Sequence, residues 1–400
     1  MAVLLLLAAF PLCPDSFPAP PPVINAAAAV LVDLSTGTTL YEKAPDLVIP
    51  PASLTKLMSL HLAYQMIEEG LVSPDSPVPI SAAAAFQNSP PGSSLMFLEE
   101  GQRATLLDIM RGLAIPSGND SGIALAEFLA GTEGAFVERM NQEARRLGLT
   151  RTRFEDSSGY SAGNATTAGD FARFCAYYIQ AHPAALAELH SLESFTYPRQ
   201  ENLNSRGRSA RGSLTQYNHN SLVGRVEGVD GLKTGFIDES GYNLALTAQR
   251  GDRRLLAVLL GGPERIRGDG DMNRSLDGAV LLTYGFSAFE SLTPRPPEIS
   301  LRVYQGERKY LPLRPEALPR LTLDRSLAAG LSFQYELETG LSAPLEPGTP
   351  AGVLHCFDGE GRRLFTTRLL TAEAARPGGF WRRLWDGIRL FFTRKTRINA

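Results

Sequence analysis

Three cysteines in 400 residues, at positions 13, 175 and 356, are too few and too scattered for a disulfide framework, and no Cys/His spacing suits zinc. Cys175 falls in a helical run and Cys356 in a strand of what reads as a separate domain, so both are expected to be buried, inert thiols. An excess of one charge is also missing. The 39 Lys and Arg nearly balance 42 Asp and Glu, and a net charge of −3 gives no general case for nucleic acid as a partner. The apolar run from Val3 to Leu12 is too short to span a bilayer. Followed by Pro-rich sequence to Pro22, it reads as a secretory signal and linker, although a basic n-region and a clear Ala-x-Ala site are lacking. Leu12 is larger than the small residue that usually precedes a lipidated cysteine, which argues against Cys13 as an attachment point. Tryptophan is scarce, and both copies, Trp381 and Trp385, stand near the end of the sequence.

What is present is an ordinary globular composition, 44% hydrophobic and 20% charged, in a chain long enough for two folded units. Ala26 to Tyr41 reads as a β-hairpin turning at Ser35-Thr36-Gly37. Pro50 and Pro51 lead into a helix buried on most sides, with Ser53 at its opening. Helical spacing recurs at Leu106 to Leu113, Ser121 to Ala130, Ala135 to Leu147 and Asp170 to Ile179. Gly241 to Ala248 and Arg254 to Gly261 read as adjacent antiparallel strands, and Met272 to Tyr284 as a closing helix. That order predicts an α/β (α+β) unit with a helical block on an antiparallel sheet.

Ser291 to Pro297 carries three prolines and reads as a linker, after which alternating runs predict a small all-β domain to about Leu370. From Gly378 to Ala400, Phe380, Trp381, Leu384, Trp385, Ile388, Phe391 and Phe392 share one helical arc and arginines the other. This pattern suits a helix lying in a membrane interface, and a helix docked on protein is the competing expectation. The expected division is 1–22 signal and linker, 23–290 catalytic domain, 291–375 small β-sandwich-like domain and 376–400 amphipathic anchor.

Ser53-Leu54-Thr55-Lys56 places a hydroxyl and an amine three residues apart on one helical face. A serine needs a base within hydrogen-bond reach to become a nucleophile, and lysine serves only when burial or nearby positive charge keeps it neutral. Taken singly the motif recurs by chance. So do Ser117-Gly118-Asn119, which also reads as a helix cap, and Lys233-Thr234-Gly235, which also reads as a strand edge with a solvated lysine.

Together, in this order, the three resemble the serine penicillin-binding protein and β-lactamase superfamily. Matching runs at Pro51 to Leu57, Gly92 to Leu98, Ser117 to Glu127, Val229 to Gly235 and Gly241 to Leu244 favour the low-molecular-mass D-alanyl-D-alanine carboxypeptidases. The resemblance implies a β-lactamase/transpeptidase-like fold, and catalysis by Ser53, Lys56 and Ser117 without cofactor or metal. Ser53 would attack the penultimate D-alanine carbonyl, Lys56 would take its proton, and Ser117 would protonate the leaving D-alanine. Asn119 would hold the substrate amide and help orient Lys56. Lys233 and Thr234 would bind the terminal carboxylate, with Lys233 also supplying the positive charge that keeps Lys56 neutral. Gly235 would let the strand approach the substrate, and the N–H of Phe236 would join that of Ser53 as an oxyanion hole.

The implied partners are the peptidoglycan stem pentapeptide, β-lactams and, through the tail, a membrane surface, for an exported protein at the outer face of the bacterial cytoplasmic membrane. Two positions depart from the pattern: Phe236 stands where many relatives have histidine, and His219 where an arginine is common. His219 reads either as a titrating contact or as a polar surface histidine. A class A-like β-lactamase is the nearest rival, but Phe154 to Tyr160 lacks its Glu-x-x-Asn loop. A catalytically silent wall-binding scaffold is the rival from another class.

Overall fold

The computed structural model describes residues 20–203, 209–264 and 266–398, with side chains described as far as 390. The signal-like stretch and Cys13 lie outside the described residues. The chain divides into two compact units, one of them Pro21–Ser287 and the other containing Ala288–Ala400.

In the first unit the hairpin β1 (Ala28–Asp33) and β2 (Thr38–Lys43) precedes a 3-10 turn (Ala52–Thr55) that runs into α1 (Lys56–Glu68). A short ribbon of β3 (Pro77–Pro79) and β4 (Arg103–Thr105) leads to α2 (Leu106–Ala114), α3 (Asn119–Ala130), α4 (Glu133–Arg146) and α5 (Ala168–Ala181). A second ribbon, β5 (Ser194–Tyr197) and β6 (Leu214–Tyr217), precedes β7 (Val229–Ile237), β8 (Gly241–Arg250) and β9 (Arg253–Gly262), and α6 (Gly270–Ala288) ends the unit. The main sheet is antiparallel in the order β2-β1-β9-β8-β7, which leaves β7 as an edge strand beside the 3-10 turn.

Sequence explains where the helices begin. Thr105, Thr132 and Thr167 each accept an N–H three residues on, and Thr105 forms a reciprocal capping box with Asp108. α1 is buried nearly all round, from Leu57 to Tyr64, which removes any polar face and makes it the spine of the helical block. Leu54, Leu57, Met58, Leu60, Met110, Leu113, Leu125, Phe171 and Phe174 form its core with Leu256, Val258 and Leu260 of the sheet.

The second unit holds β10 (Phe289–Leu292) paired with β13 (Leu321–Asp324), and a five-stranded antiparallel sheet. That sheet contains β11 (Ser300–Arg302), β12 (Tyr310–Pro315), β14 (Ser332–Leu337), β15 (Pro350–Phe357) and β16 (Arg363–Thr371), in the order β11-β12-β16-β15-β14. A one-turn helix α7 (Arg325–Ala328), capped by Asp324, interrupts the expected all-β pattern, and α8 (Phe380–Ile398) follows. Two expectations are corrected. Ser291 and Leu292 belong to β10, so the irregular proline-bearing stretch starts after Leu292. Ser53 opens a 3-10 turn and not an α-helix. Cys175 and Cys356 are buried and unbridged.

Candidate active site

Residues i and i+3 eclipse one another on a 3-10 turn, so the Ala52–Thr55 turn sets Lys56 directly under Ser53. Two glycines let neighbouring chain close on this turn. A Cβ on Gly159, where φ is +82°, would lie 1.8 Å from the Ala52 carbonyl oxygen. One on Gly235 would meet the Pro51 carbonyl oxygen at 2.9 Å and the Ser53 nitrogen at 3.1 Å. The glycine of Lys-Thr-Gly therefore admits the edge of β7 to the backbone of Ser53 itself. Asn243 fastens the same turn to β8 by donating to the Pro50 carbonyl at 3.0 Å.

Lys56 is fully buried, and its Nζ has three neighbours: Ser53 Oγ at 2.9 Å, Asn119 Oδ1 at 2.7 Å and the Ser158 carbonyl oxygen at 2.7 Å. The last two can only accept. A neutral amine has two N–H bonds and one lone pair, so two carbonyl acceptors engage both hydrogens and turn the lone pair toward the Ser53 hydroxyl. Burial brings Lys56 down to about 7, against the pull of Asp156 and Asp120, which raise it. Desolvation of the ammonium is the largest cause of that lowering, and Lys233 lies near enough for the two ammonium charges to oppose one another. Lys233 is itself pushed well below the ordinary lysine range, first by burial and then by the charges of Lys56 and Arg274.

Ser117 and Asn119 lie at the start of α3. Ser117 is buried with φ +62°, a left-handed conformation uncommon outside glycine. The turn is held by Gly118 N–H on the Gly112 carbonyl and Asn119 N–H on the Ser94 carbonyl, both at 2.8 Å. Asn119 Nδ2 donates to Ser93 Oγ at 3.1 Å, which fixes its amide so that Oδ1 faces Lys56. Asp120 accepts the N–H groups of Met96 and Leu98, pinning the segment that follows Ser93.

On β7, Lys233 and Thr234 are buried and Phe236 is 46% exposed, its ring packed on Tyr242. His190, on a π turn over Leu186–His190, sets the strand's height. The Leu232 carbonyl can only accept, so His190 Nδ1 donates to it at 3.1 Å and Nε2 accepts a hydrogen bond from the Tyr178 hydroxyl at 2.9 Å. Burial pushes His190 to about 3, consistent with that neutral tautomer. His219 is an exposed residue, but protein crowds its imidazole. Burial, then Lys233, Arg274 and Lys56, lower it to about 4. Arg274 of α6 is buried, donates to the Gly235 carbonyl at 3.0 Å and pairs with Asp271.

The structure thus brings Ser53, Lys56 and Asn119 into direct contact, with Gly235 against the nucleophile's turn. Sequence reasoning missed Ser158, Asp156, Asp120, His190, Asn243 and Arg274. Ser158 acts through a backbone carbonyl, which no side-chain pattern signals, whereas Asp120 and Asn243 stood inside matching runs. Among the described residues, no group of three or more His, Cys, Asp or Glu is arranged to hold a metal ion.

A hydroxyl on a buried amine, beside a carboxamide and a strand edge backed by the Arg274 guanidinium, is chemically suited to acyl transfer from a carboxylate-bearing substrate. The fold and this arrangement define the penicillin-binding protein class of serine acyl-transferases. The family model for D-alanyl-D-alanine carboxypeptidase matches residues 15–264. The chain is 33% identical to the D-alanyl-D-alanine carboxypeptidase DacC of Escherichia coli K12, across 93% of this chain and 89% of that one. Identity to DacA of the same organism is 31%, with the same coverage. Among solved structures, penicillin binding protein 5 of Haemophilus influenzae superposes with a TM-score of 0.68 at 29% identity, covering 90% of this chain and 99% of that one. Penicillin binding protein 6B of Escherichia coli gives 0.71 at 29%, covering 89% and 98%. The chain belongs to the D-alanyl-D-alanine carboxypeptidase family.

Proposed function

We propose that this chain is a serine-type D-alanyl-D-alanine carboxypeptidase that trims the terminal D-alanine from peptidoglycan pentapeptide stems and is acylated by penicillin. The observation that carries the assignment is the aim of Lys56, with two carbonyl acceptors turning its lone pair onto Ser53. Ser53 Oγ bonds to the penultimate D-alanine carbonyl carbon while its proton passes to Lys56 Nζ. The carbonyl π pair moves onto oxygen, held by the N–H groups of Ser53 and Phe236. Collapse breaks the C–N bond, and Ser117 delivers its proton to the departing amine while regaining one that originates on the Lys56 ammonium, which leaves Lys56 neutral again. Asn119 holds the substrate amide, and Lys233 and Thr234 hold the terminal carboxylate, with Arg274 adding positive charge beside the Gly235 carbonyl. Water then hydrolyses the ester at Ser53.

The β-lactamase reading has little support. The glutamate of the relevant loop, Glu155, faces the surface, where Arg153 and Ser161 take its oxygens at 3.1 Å. A fluorescent penicillin should label the native chain covalently, and Ser53→Ala should abolish the adduct. D-alanine release from a pentapeptide, run beside penicillin turnover, separates carboxypeptidase from β-lactamase. A native chain that takes no label would favour the silent scaffold.

We infer further that the unit Pro21–Ser287 is the catalytic domain, the β-rich part of the second unit to residue 375 a spacer toward the cell wall, and 376–400 a peripheral anchor at the outer face of the cytoplasmic membrane. α8 supports the anchor by the way it lies on its own unit. Asp386, 7% exposed, accepts the Gln305 N–H at 2.9 Å, and Arg382 donates to the Glu307 carbonyl at 3.1 Å. Its polar edge is thus docked, while Phe380, Trp381, Leu384, Trp385 and Ile388 stay 44–72% exposed. Among the described residues no helix is long and apolar enough to cross a membrane, which suits a helix that lies in the interface.

A further inference from the structure

The geometry points to Asp156 as a positioning residue for acylation: its carboxylate folds the turn that sets the Ser158 carbonyl on Lys56, and its charge favours the ammonium that proton transfer from Ser53 creates. The inference rests on the carboxypeptidase reading and deepens it at the general base.

Asp156 is the hub of the turn after α4. Oδ1 accepts the N–H of Ser158 at 2.7 Å and those of Gly159 and Tyr160, while Oδ2 accepts the Ser161 N–H and Asn164 Nδ2. With the Ser158 hydroxyl also on Oδ1 at 3.3 Å, six donors on one carboxylate leave the turn a single shape. Two further contacts lock it. Ser157 is held by Glu133 through both N–H and Oγ, and the Ser157 carbonyl takes the Ser59 hydroxyl of α1 at 2.6 Å. Gly159 closes against the Ala52 carbonyl with no room for a Cβ. The Ser158 carbonyl then falls 2.7 Å from Lys56 Nζ. Without it one N–H of the neutral amine would be free to turn, and the lone pair would lose its fixed direction toward Ser53.

The groups around Lys56 are Ser53 on the 3-10 turn, Asn119 and Asp120 on α3, Lys233 on β7, Ser158 and Asp156 on the turn, and His219 across the cleft. Two of these are carboxylates that oppose burial, and Asp156 is the stronger. Asp120 is engaged with three N–H groups of its own neighbourhood. Asp156 alone joins the charge to the carbonyl that aims the amine.

The test exploits scarcity, since the chain has only five lysines, at 43, 56, 233, 309 and 395. In full-length protein labelled with 13C-lysine, the Lys56 Cε signal, assigned by its loss in Lys56→Met, should titrate near 7. Asp156→Asn should lower that midpoint, and with it the acid limb of penicillin acylation, by about one unit. Asn164→Ala loosens the turn but keeps the charge, so it should slow acylation roughly tenfold with the midpoint in place. Asp156→Glu should restore the midpoint. An unmoved midpoint in Asp156→Asn overturns the electrostatic half, and unchanged acylation in Asn164→Ala overturns the positioning half, even if the asparagine variant fails to fold. The lysine titration needs no turnover. A native chain that titrates as stated but takes no penicillin would therefore fail the carboxypeptidase reading and leave the Asp156–Lys56 coupling measured.

Discussion

Lys56 has a base's proton affinity because it is buried, and it has a base's direction because two carbonyl oxygens claim its hydrogens. Gly235 shows how little slack surrounds that arrangement. A methyl there would sit 2.9 Å from the Pro51 carbonyl oxygen, closer than a Cβ comes to backbone, and in tight contact at 3.2 Å with the Ala52 Cβ, so β7 or the Ser53 turn must retreat by a few tenths of an ångström. Gly235→Ala is therefore expected to cut penicillin acylation by about 100-fold, since the Ser53 and Phe236 amides separate. The thermal midpoint should change little, because an edge strand can bow outward. Stopped-flow acylation beside calorimetry checks this, and equal loss of both would mean that the glycine serves the fold and not the site.

α1 is the element on which the site depends, and its far half is held by polar contacts no motif announced. His61 bridges Glu143 of α4 and His182 at the end of α5, each at 2.7 Å, and His182 continues to Glu68. Burial pushes Glu143 up, but hydrogen bonds from Arg146 and then His61 outweigh it and bring it from 4.5 to about 2. A carboxylate depressed in the folded state stabilises fully above its unfolded value and loses that contribution as pH falls from about 4.5 to about 2. The shift alone corresponds to about 3 kcal/mol. Arg146 stands half in solvent, and screening leaves about 1–2 kcal/mol. Glu143→Gln should thus be less stable than wild type at pH 7 by that amount, with the difference closing toward pH 2. Thermal denaturation across that range reads it, and a difference that persists at pH 2 would mean that packing, not charge, is what the residue supplies.

At the scale of the whole molecule, the proposed reading assigns chemistry to one unit and attachment to the other. Every residue assigned a role in acyl transfer lies within Pro21–Ser287, and the exposed aromatic face belongs to α8. Deleting Gly378 to Ala400 should move the protein from the membrane to the soluble fraction, while D-alanine release from a small soluble pentapeptide stays within about twofold. Fractionation and a peptide assay on the same preparation check both halves. Equal membrane recovery of the truncated chain would refute the anchor, and lost turnover would place α8 in the stability of the enzyme.

Much of the site was legible because it is built from side chains in short local patterns: Ser53 with Lys56, Ser117 with Asn119, and Lys233 with Thr234 and Gly235. Periodicity likewise marked α2 to α5 and the strands β8 and β9, since each keeps one face or both faces apolar over its length. Less legible were features that arise when distant segments meet. The 3-10 geometry at Ser53 depends on contacts from Gly159, Gly235 and Asn243, 106 to 190 residues away. The burial that lowers the proton affinity of Lys56 was equally illegible, because burial is a property of the packed core and has no local signature. The sequence by itself determined which groups could act and the order in which the chain presents them. Only the tertiary structure decided that a backbone carbonyl at Ser158, in a turn held by Asp156, would meet the Lys56 amine, because direction and desolvation exist only once the chain has closed around Lys56.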